Sequence, residues 1–144
     1  MKKTLAHTQK EQGQALVEFA AVLIILMIVL AGLLDLGRAF FVYMSLRDAA
    51  QEGATYASIN PSDTTGIINR VRTTSTKPVD MADTTLINVQ VNPTGALCAG
   101  NGVEVVVEYP NFTITTPLLG TILGSQSIAL RARITDTILT PACE

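Results

Sequence analysis

The chain has 144 residues, a formal net charge of −2 at pH 7 and 48% hydrophobic residues. This length allows one modest domain in addition to a membrane span. The slightly acidic balance argues against a nucleic-acid partner, because nucleic-acid binding usually needs a basic face. Two cysteines and one histidine, His7, are too few for a zinc site, so we expect no metal and no cofactor.

An almost unbroken apolar run extends from Ala15 to Leu34, and Glu18 is its only charged residue. About 20 apolar residues at a rise of ~1.5 Å match the ~30 Å hydrocarbon core of a bilayer. The run is longer than the apolar stretch of a signal peptide, and residues 29–31 (Val-Leu-Ala) match a signal-peptidase site poorly. The sequence therefore predicts a transmembrane helix over residues 14–34, in contact with a lipid bilayer.

Charges on either side of the run predict its orientation. Lys2, Lys3 and Lys10 precede it with only Glu11 against them, whereas the acidic and basic residues that follow it nearly cancel. By the positive-inside rule, residues 1–13 form a cytoplasmic leader and the rest of the chain is exported. We expect a single-pass protein of the cytoplasmic (inner) membrane with an extracytoplasmic C-terminal domain.

Cys98 and Cys143 both fall on the exported side, where disulfides form and persist. A domain of this size buries little core, so a covalent link would help to stabilise it. The pair is a disulfide candidate, and two unpaired buried thiols are the alternative.

Glu18, the acid inside the predicted span, is the most informative residue of the chain. A charge in a membrane helix is costly and indicates a function by default. The alternatives are a carboxyl that reaches the headgroup level and a charge that a partner chain satisfies. The residues that begin five positions before it resemble the processing region of type IV pilins and pseudopilins. They are Gly13, Gln14, Ala15, Leu16, Val17, Glu18 and Phe19.

This resemblance implies that a membrane aspartyl peptidase, the prepilin peptidase, cuts after Gly13 on the cytoplasmic face. The cut would leave a cationic amine on Gln14, about one helical turn from Glu18. A low dielectric strengthens such a pair, within one chain or between two. The resemblance also implies that Glu18 seats the new N-terminus against a neighbouring subunit and that Phe19 completes the recognition pair. Glycine would give the peptidase an extended, accessible backbone.

The resemblance continues beyond the membrane. Residues 32–38 (Gly-Leu-Leu-Asp-Leu-Gly-Arg) and 49–58 (Ala-Ala-Gln-Glu-Gly-Ala-Thr-Tyr-Ala-Ser) are similar to the TadE family, in the same order. TadE-like proteins belong to the Tad (tight adherence, Flp pilus) machinery. The implied protein is a minor pseudopilin of pilus assembly, with other pilins or pseudopilins and the Tad assembly-platform proteins as partners.

No proline interrupts residues 14–60, so one helix of about 45 residues is expected. Its exported continuation, residues 35–59, has apolar positions three to four apart, which predicts one buried stripe. The predicted stripe comprises Leu36, Phe40, Tyr43, the stem of Arg47, Ala50, Ala54 and Ala57. Small side chains would let another backbone approach closely. They are Ala49, Ala50, Gly53, Ala54 and Ala57. The stripe packs on the protein's own domain or faces a neighbouring subunit, and both can hold along its length.

Residues 60–144 predict a small α+β exported domain. Pro61 ends the long helix, and Ser62 or Asp63 caps a short helix with Arg70 and Arg72 in solvent. Its apolar side is Ile67, Ile68 and Val71.

Three β-branched or alternating segments follow a loop over residues 73–85, and they predict an antiparallel three-stranded meander with one face covered by the long helix. The predicted strands are residues 86–91, 103–109 and 127–134. Residues 117–124 are apolar but too short to span a membrane. They form a loop or helical turn on the core, or a contact with the membrane or a partner.

The chain has no phosphate-binding glycine loop and no histidine on the exported side, so an enzyme is not expected. Asp63, Asp80 and Asp83 do not have the spacing of a calcium loop. Two rivals to the pseudopilin hypothesis stay open. One is an uncleaved single-pass membrane protein with an exported ligand- or partner-binding domain, and the other is a membrane-tethered enzyme.

Overall fold

A computed structural model describes residues 5–116, 120–122 and 124–143, with side chains from residue 13 onward. The elements in chain order are α1 (Leu5–Ile59), α2 (Thr64–Arg72), β1 (Asn88–Pro93), β2 (Gly102–Thr113) and β3 (Ser127–Thr137). The strands form one antiparallel sheet in the order β1-β2-β3. The predicted α+β class is confirmed: a long apolar helix, a short helix and a three-stranded meander.

The helix α1 is continuous over 55 residues, because no proline interrupts it. It begins before Gly13, so the expectation of an extended backbone at this glycine is wrong. One glycine costs a helix only about 1 kcal/mol, and the Gln, Leu, Ala, Glu and Lys residues around it favour the helix.

The buried stripe of α1 differs from the predicted one in its membrane-proximal half. Leu36 and Phe40 are 66% and 58% exposed, and Tyr43 and Arg47 are exposed as well. The helix carries more than one apolar row with helical spacing, and spacing alone does not identify the row that meets the sheet. The buried positions beyond the span are Asp35, Val42, Leu46, Ala49, Ala50, Gly53, Ala54, Ala57 and Ser58.

The five small residues of the predicted packing row lie in the protein's own core, where they let α2 and the sheet approach α1. A Cβ at Gly53 would lie 2.5 Å from Cγ2 of Val71 on α2 and 3.2 Å from Cγ1 of Val105 on β2. Gly53 therefore lies at the contact between α1, α2 and β2. The five are Ala49, Ala50, Gly53, Ala54 and Ala57.

The short helix α2 begins after Asp63, whose carboxylate accepts a hydrogen bond from the backbone N–H of Gly66 at 2.9 Å. Ile67 and Val71 point into the core. The carboxylate of Asp63 therefore satisfies a backbone donor of the first turn, as an N-cap residue does.

Of the two arginines of α2 predicted to lie in solvent, only Arg70 is exposed. Arg72 is partly buried, and its guanidinium donates to the carbonyls of Met81 at 3.1 Å and Ile87 at 3.5 Å. The prediction for Arg72 is wrong because the loop over residues 73–87 folds back over α2 and presents carbonyl groups to it.

The strands extend past their predicted ends. β2 continues to Thr113 through an irregularity between Tyr109 and Phe112, which contains Pro110. Proline has no N–H to donate to the ladder, and a local bulge lets the strand continue. The predicted inward face of β3 lies against the core; it comprises Ile128, Leu130, Ala132 and Ile134.

The C-terminal segment is attached to the β1–β2 hairpin near the C-terminal end of α1. The sulfur atoms of Cys98 and Cys143 are bonded, with their Cα atoms 5.0 Å apart. The backbone N–H of Leu139 also donates to the carbonyl of Ser58 at 2.7 Å. The disulfide therefore lies at the end of the domain remote from the apolar half of α1.

Two predicted segments lie partly outside the described residues. Of the leader, residues 1–4 lie outside them, and of the apolar segment over residues 117–124, residues 117–119 and 123 do. In the described part, the N–H of Gly120 donates to the carbonyl of Thr116 at 3.3 Å, and Ile122 is 78% exposed.

Two glycines of α1 give opposite predictions when changed to alanine. The new methyl of Gly53→Ala collides with the stiff, buried Val71, so we expect the free energy of unfolding to fall by about 1–2 kcal/mol despite the better helix propensity. A Cβ at Gly37 would meet no atom within 4 Å, so Gly37→Ala should raise the free energy of unfolding by about 0.5–1 kcal/mol. Denaturant unfolding of the full chain in detergent micelles measures both. Equal effects at the two sites would contradict the close packing at Gly53.

Candidate functional site: the membrane helix and its junction with the domain

The first half of α1 has no protein around it. Residues 13–30 are exposed throughout, and the most apolar stretch of the helix is not buried at all within the chain. In a soluble protein, a core helix of this length would be covered by other parts of the protein. An exposed apolar surface of this extent needs lipid or another apolar partner, and the helix is long and apolar enough to cross a bilayer.

The four residues with predicted roles in processing, Gly13, Gln14, Glu18 and Phe19, all lie on this uncovered part. Gln14 and Glu18 are four residues apart and therefore share one face of the helix, and Phe19 is the next residue. A Cβ at Gly13 would meet no atom within 4 Å, so packing within the chain does not require glycine there. Glu18 is exposed, and none of the described side chains forms an ion pair or hydrogen bond with it.

Asp35, the first residue after the predicted span, joins the helix to the domain. It is only 5% exposed. Its carboxylate accepts hydrogen bonds from the backbone N–H of Thr116 at 2.7 Å and of Thr115 at 3.1 Å. Both threonines lie in the connection between β2 and β3. The acid therefore holds this connection against α1 at the level where the helix leaves the predicted span.

Hydrogen bonds from the side chain of Thr116 and from the backbone of Thr116 and Thr115 keep Asp35 ionised. The pKa of its carboxyl is lowered from 3.8 to about 2. The side-chain hydrogen bond of Thr116 contributes most, and the backbone N–H groups of Thr116 and Thr115 act in the same direction, against burial, which raises the pKa. Charge-assisted hydrogen bonds of this kind are among the stronger ones in proteins.

Arg38 lies one turn beyond Asp35 and contacts three parts of the junction. Its Nη1 is 3.5 Å from Oδ1 of Asp35, and it donates to the hydroxyl of Thr115. Its guanidinium carbon also lies 5.5 Å from the ring centroid of Phe112 on β2. Because the Arg38 side chain is 56% exposed, the ion pair itself is expected to add little stability. Its position covers the acid from the solvent side.

The role of Asp35 and Arg38 was not predicted, because in the sequence they count only as charges that nearly cancel. The signal that could have found Asp35 is its place: a single acid directly after an apolar run, followed one turn later by a basic residue. What the sequence could not supply is the acid's partners, since Thr115 and Thr116 are some eighty residues away in the chain.

An apolar groove of about 370 Å³ adjoins the junction, between α1 and the ends of β2 and β3 that lie nearest to the span. Its walls carry almost no polar atoms apart from Asp35. They are formed by Val29, Gly32, Leu33, Asp35, Leu36, Ala39, Phe112, Ile114 and Ile128.

The acids considered as cation ligands have local structural roles. Asp63 caps α2, while Asp80 and Asp83 accept hydrogen bonds from the backbone N–H groups of Ala82 and Thr85 at 3.0 and 2.8 Å. Among the residues that the structure describes, no group of three or more His, Cys, Asp or Glu side chains is placed to hold a metal ion.

The sequence profile of the TadE-like protein family matches residues 13–55. From Gly13 to Thr55, the chain is TadE-like. The resemblance predicted from the sequence is therefore confirmed. The match covers the apolar span, the Asp35 junction and most of the buried stripe, and it ends before the sheet. No curated protein and no solved structure matches the chain.

The segment that resembles TadE-like proteins contains the uncovered apolar part of α1, which is long and apolar enough to cross a membrane. The family comprises structural pilus components and is not an enzyme family. The part of the chain beyond the match carries the sheet and the disulfide.

Replacement of Asp35 by asparagine tests the junction. The amide offers one acceptor oxygen without charge, so one of the two N–H groups loses its partner and the other loses a charged one, and we expect the free energy of unfolding to fall by about 1–3 kcal/mol. The control is Asp48→Asn, which removes an exposed acid from the same helix and should change the free energy of unfolding by no more than ~0.5 kcal/mol. Equal effects of the two substitutions would contradict the role of Asp35 in the junction.

The pH dependence of stability has a definite sign. Because the pKa of Asp35 is lower in the folded protein than in the unfolded chain, its contribution is fully present above about pH 4 and is lost as the pH falls toward 2. Unfolding measured in micelles from pH 6 to 2 should show a steeper loss for the wild type than for Asp35→Asn. Parallel curves would contradict an ionised, hydrogen-bonded Asp35.

Proposed function

We propose that this chain is a TadE-like pseudopilin that serves the biogenesis of a Tad/Flp-type adhesive pilus. In this proposal, prepilin peptidase removes the leader, residues 1–13, by cutting after Gly13. Residues 14–34 then hold the protein in the cytoplasmic membrane, and residues 35–144 form the extracytoplasmic part. The observation that carries the proposal is that the family match begins at Gly13 and continues along the uncovered apolar helix.

The surroundings of Gly13 support recognition by another protein. A Cβ there would meet nothing within 4 Å, so the fold of this chain would accept a larger residue. A glycine that the chain itself does not need fits a requirement imposed from outside, such as the binding cleft of a peptidase.

The position of Glu18 supports a role that begins after cleavage. A carboxylate within the hydrocarbon region costs up to ~3 kcal/mol even on the lenient insertion scale. Cleavage would place an ammonium group on Gln14, one turn away on the same face, where the low dielectric strengthens their attraction. An amine of a neighbouring subunit could satisfy the acid equally well.

The distribution of buried surface supports lateral assembly through the spanning half of α1. The small residues between Ala49 and Ala57 are covered by the protein's own α2 and sheet. Residues 13–30, in contrast, are uncovered. Contacts with other pilins or pseudopilins and with the assembly platform would therefore fall on the apolar helix, and lipid would cover it before assembly.

N-terminal sequencing of the mature protein tests the proposed processing. In cells that contain the prepilin peptidase, the first residue should be Gln14, and in cells without the peptidase the leader should be intact. An intact leader in both strains would contradict the proposal and favour an uncleaved membrane protein whose exported domain binds a partner.

A matched pair of glycine variants separates recognition from folding. Gly13→Val should abolish leader removal, because a branched side chain would occupy the cleavage position. Gly37→Val is the control, since it adds the same side chain at a helical glycine of α1 that is equally free of neighbours within 4 Å. Immunoblots of the precursor and mature forms measure both. Normal processing of Gly13→Val would contradict a role of this glycine as the cleavage residue.

A neutral replacement tests the charge of Glu18. Glu18→Gln should leave membrane insertion intact, because it removes the costly charge, but should strongly reduce piliation counted by electron microscopy. Val17→Gln adds the same amide at the neighbouring position and keeps the acid, so piliation should persist. Unchanged piliation in Glu18→Gln would contradict the pairing role.

A further inference from the structure

The apolar surface of α1 does not end with the predicted span. Leu36, Phe40 and Phe41 are 66%, 58% and 66% exposed. Between Arg38 and Arg47 the helix carries no charged residue. Tyr43, which is 40% exposed in the same stretch, is of a residue type that is enriched at the interface between hydrocarbon and water. At ~1.5 Å per residue, Phe40 lies about 9 Å beyond Leu34, close to the outer boundary of a headgroup layer.

One edge of the domain stands beside the last turns of the span. The groove at the junction has Val29 and Leu33 of α1 on one side and Ile114 and Ile128 of the domain on the other. Val29 lies about 9 Å deeper than Asp35 along the helix axis, at ~1.5 Å per residue. If residues 14–34 fill the hydrocarbon core, this edge of the domain lies below the membrane surface.

The sequence of this edge fits a position in lipid. Residues 109–130, which contain the end of β2, the connection and the start of β3, carry no Asp, Glu, Lys or Arg. The charged residues of the two strands all lie at the opposite end, toward the hairpin and the chain terminus. They are Glu104, Glu108, Arg131, Arg133 and Asp136.

The connection is held at this level by its hydrogen bonds to α1. The N–H of Thr116 donates to Asp35, and the N–H of Gly120 donates to the carbonyl of Thr116. Two residues later Ile122 is 78% exposed. A large apolar side chain is thus presented outward from a turn that hydrogen bonds keep close to the end of the span.

We propose that this edge of the domain is immersed in the leaflet on the domain's side of the bilayer, with lipid acyl chains in the groove. The lipid-facing edge, defined as the exposed Ile122 and the partly buried Ile128, continues the surface that α1 already presents to lipid. Phe112 and Ile114 lie behind this edge, are 4% and 5% exposed, and line the groove. Immersion by ~5–10 Å is typical of monotopic segments. Arg38 then lies at the headgroup level, where its exposed guanidinium meets lipid phosphate. The proposal rests on the membrane span alone and is independent of cleavage and of pilus assembly.

Site-specific fluorescence in proteoliposomes tests the immersion. The full chain receives a single additional cysteine, Ile122→Cys, which is labelled with an environment-sensitive dye without reductant, so that the Cys98–Cys143 disulfide stays closed. Leu26→Cys within the span serves as the lipid reference. Ser62→Cys, exposed beyond the C-terminal end of α1, serves as the aqueous reference. Each label is quenched separately by lipid-borne nitroxides and by aqueous iodide.

We expect lipid-borne nitroxides to quench the label at residue 122 about as strongly as the label at residue 26. Quenching of the label at residue 122 by iodide should be at least threefold weaker than quenching of the label at residue 62. A second probe, Phe40→Cys, should fall between the two references. If the label at residue 122 instead behaves like that at residue 62, the proposal is overturned. Protection from iodide that appears only at high protein-to-lipid ratio would also overturn it, because a second copy of the chain would then cover the edge.

Discussion

The carboxylate of Asp35 and the two backbone N–H groups that it binds mark the point at which α1 changes its surroundings. Over residues 13–30 the helix is exposed throughout, and from Asp35 onward one of its faces becomes the wall of a protein core. A continuous helix cannot by itself define where a domain attaches. The hydrogen bonds from Thr115 and Thr116 define that point, and they do so at the end of the sheet nearest the span.

This arrangement divides the functions of one helix between its two halves. The small residues around Gly53 are used within the protein, since they let α2 and β2 pack against the helix, and they are unavailable to a neighbouring subunit. The proposed function assigns contacts with lipid, peptidase and other subunits to the apolar half, where Gly13 and Glu18 lie. The TadE-like match extends across both halves and stops before the sheet, so the matched segment is the part that connects the membrane to the core.

Much of the fold could be predicted from the sequence, wherever the signal is local. The long apolar helix, the cap at one of Ser62 and Asp63 and the order of the strands follow from apolar length, side-chain chemistry and alternation. The buried row of α1 was assigned incorrectly near Leu36 because the helix carries a second, exposed apolar row there, which spacing cannot distinguish from a core-facing one. The Asp35 junction was missed because its partners, the backbone N–H groups and side chains of Thr115 and Thr116, are distant in sequence, and a backbone N–H cannot be recognised from the residue type.

Amide hydrogen exchange at Thr115 and Thr116, measured by NMR on the full chain in lipid nanodiscs, tests this junction at the atoms concerned. Thr115 is exposed within the chain, so burial in the protein would not slow the exchange of its N–H, and comparison with Asp35→Asn separates the effect of the hydrogen bond from that of any lipid cover. We expect both amides to exchange slowly in the wild type and at least tenfold faster in Asp35→Asn, while amides of the β2–β3 ladder stay unchanged. Rapid exchange of both amides in the wild type would contradict the attachment of the domain through Asp35.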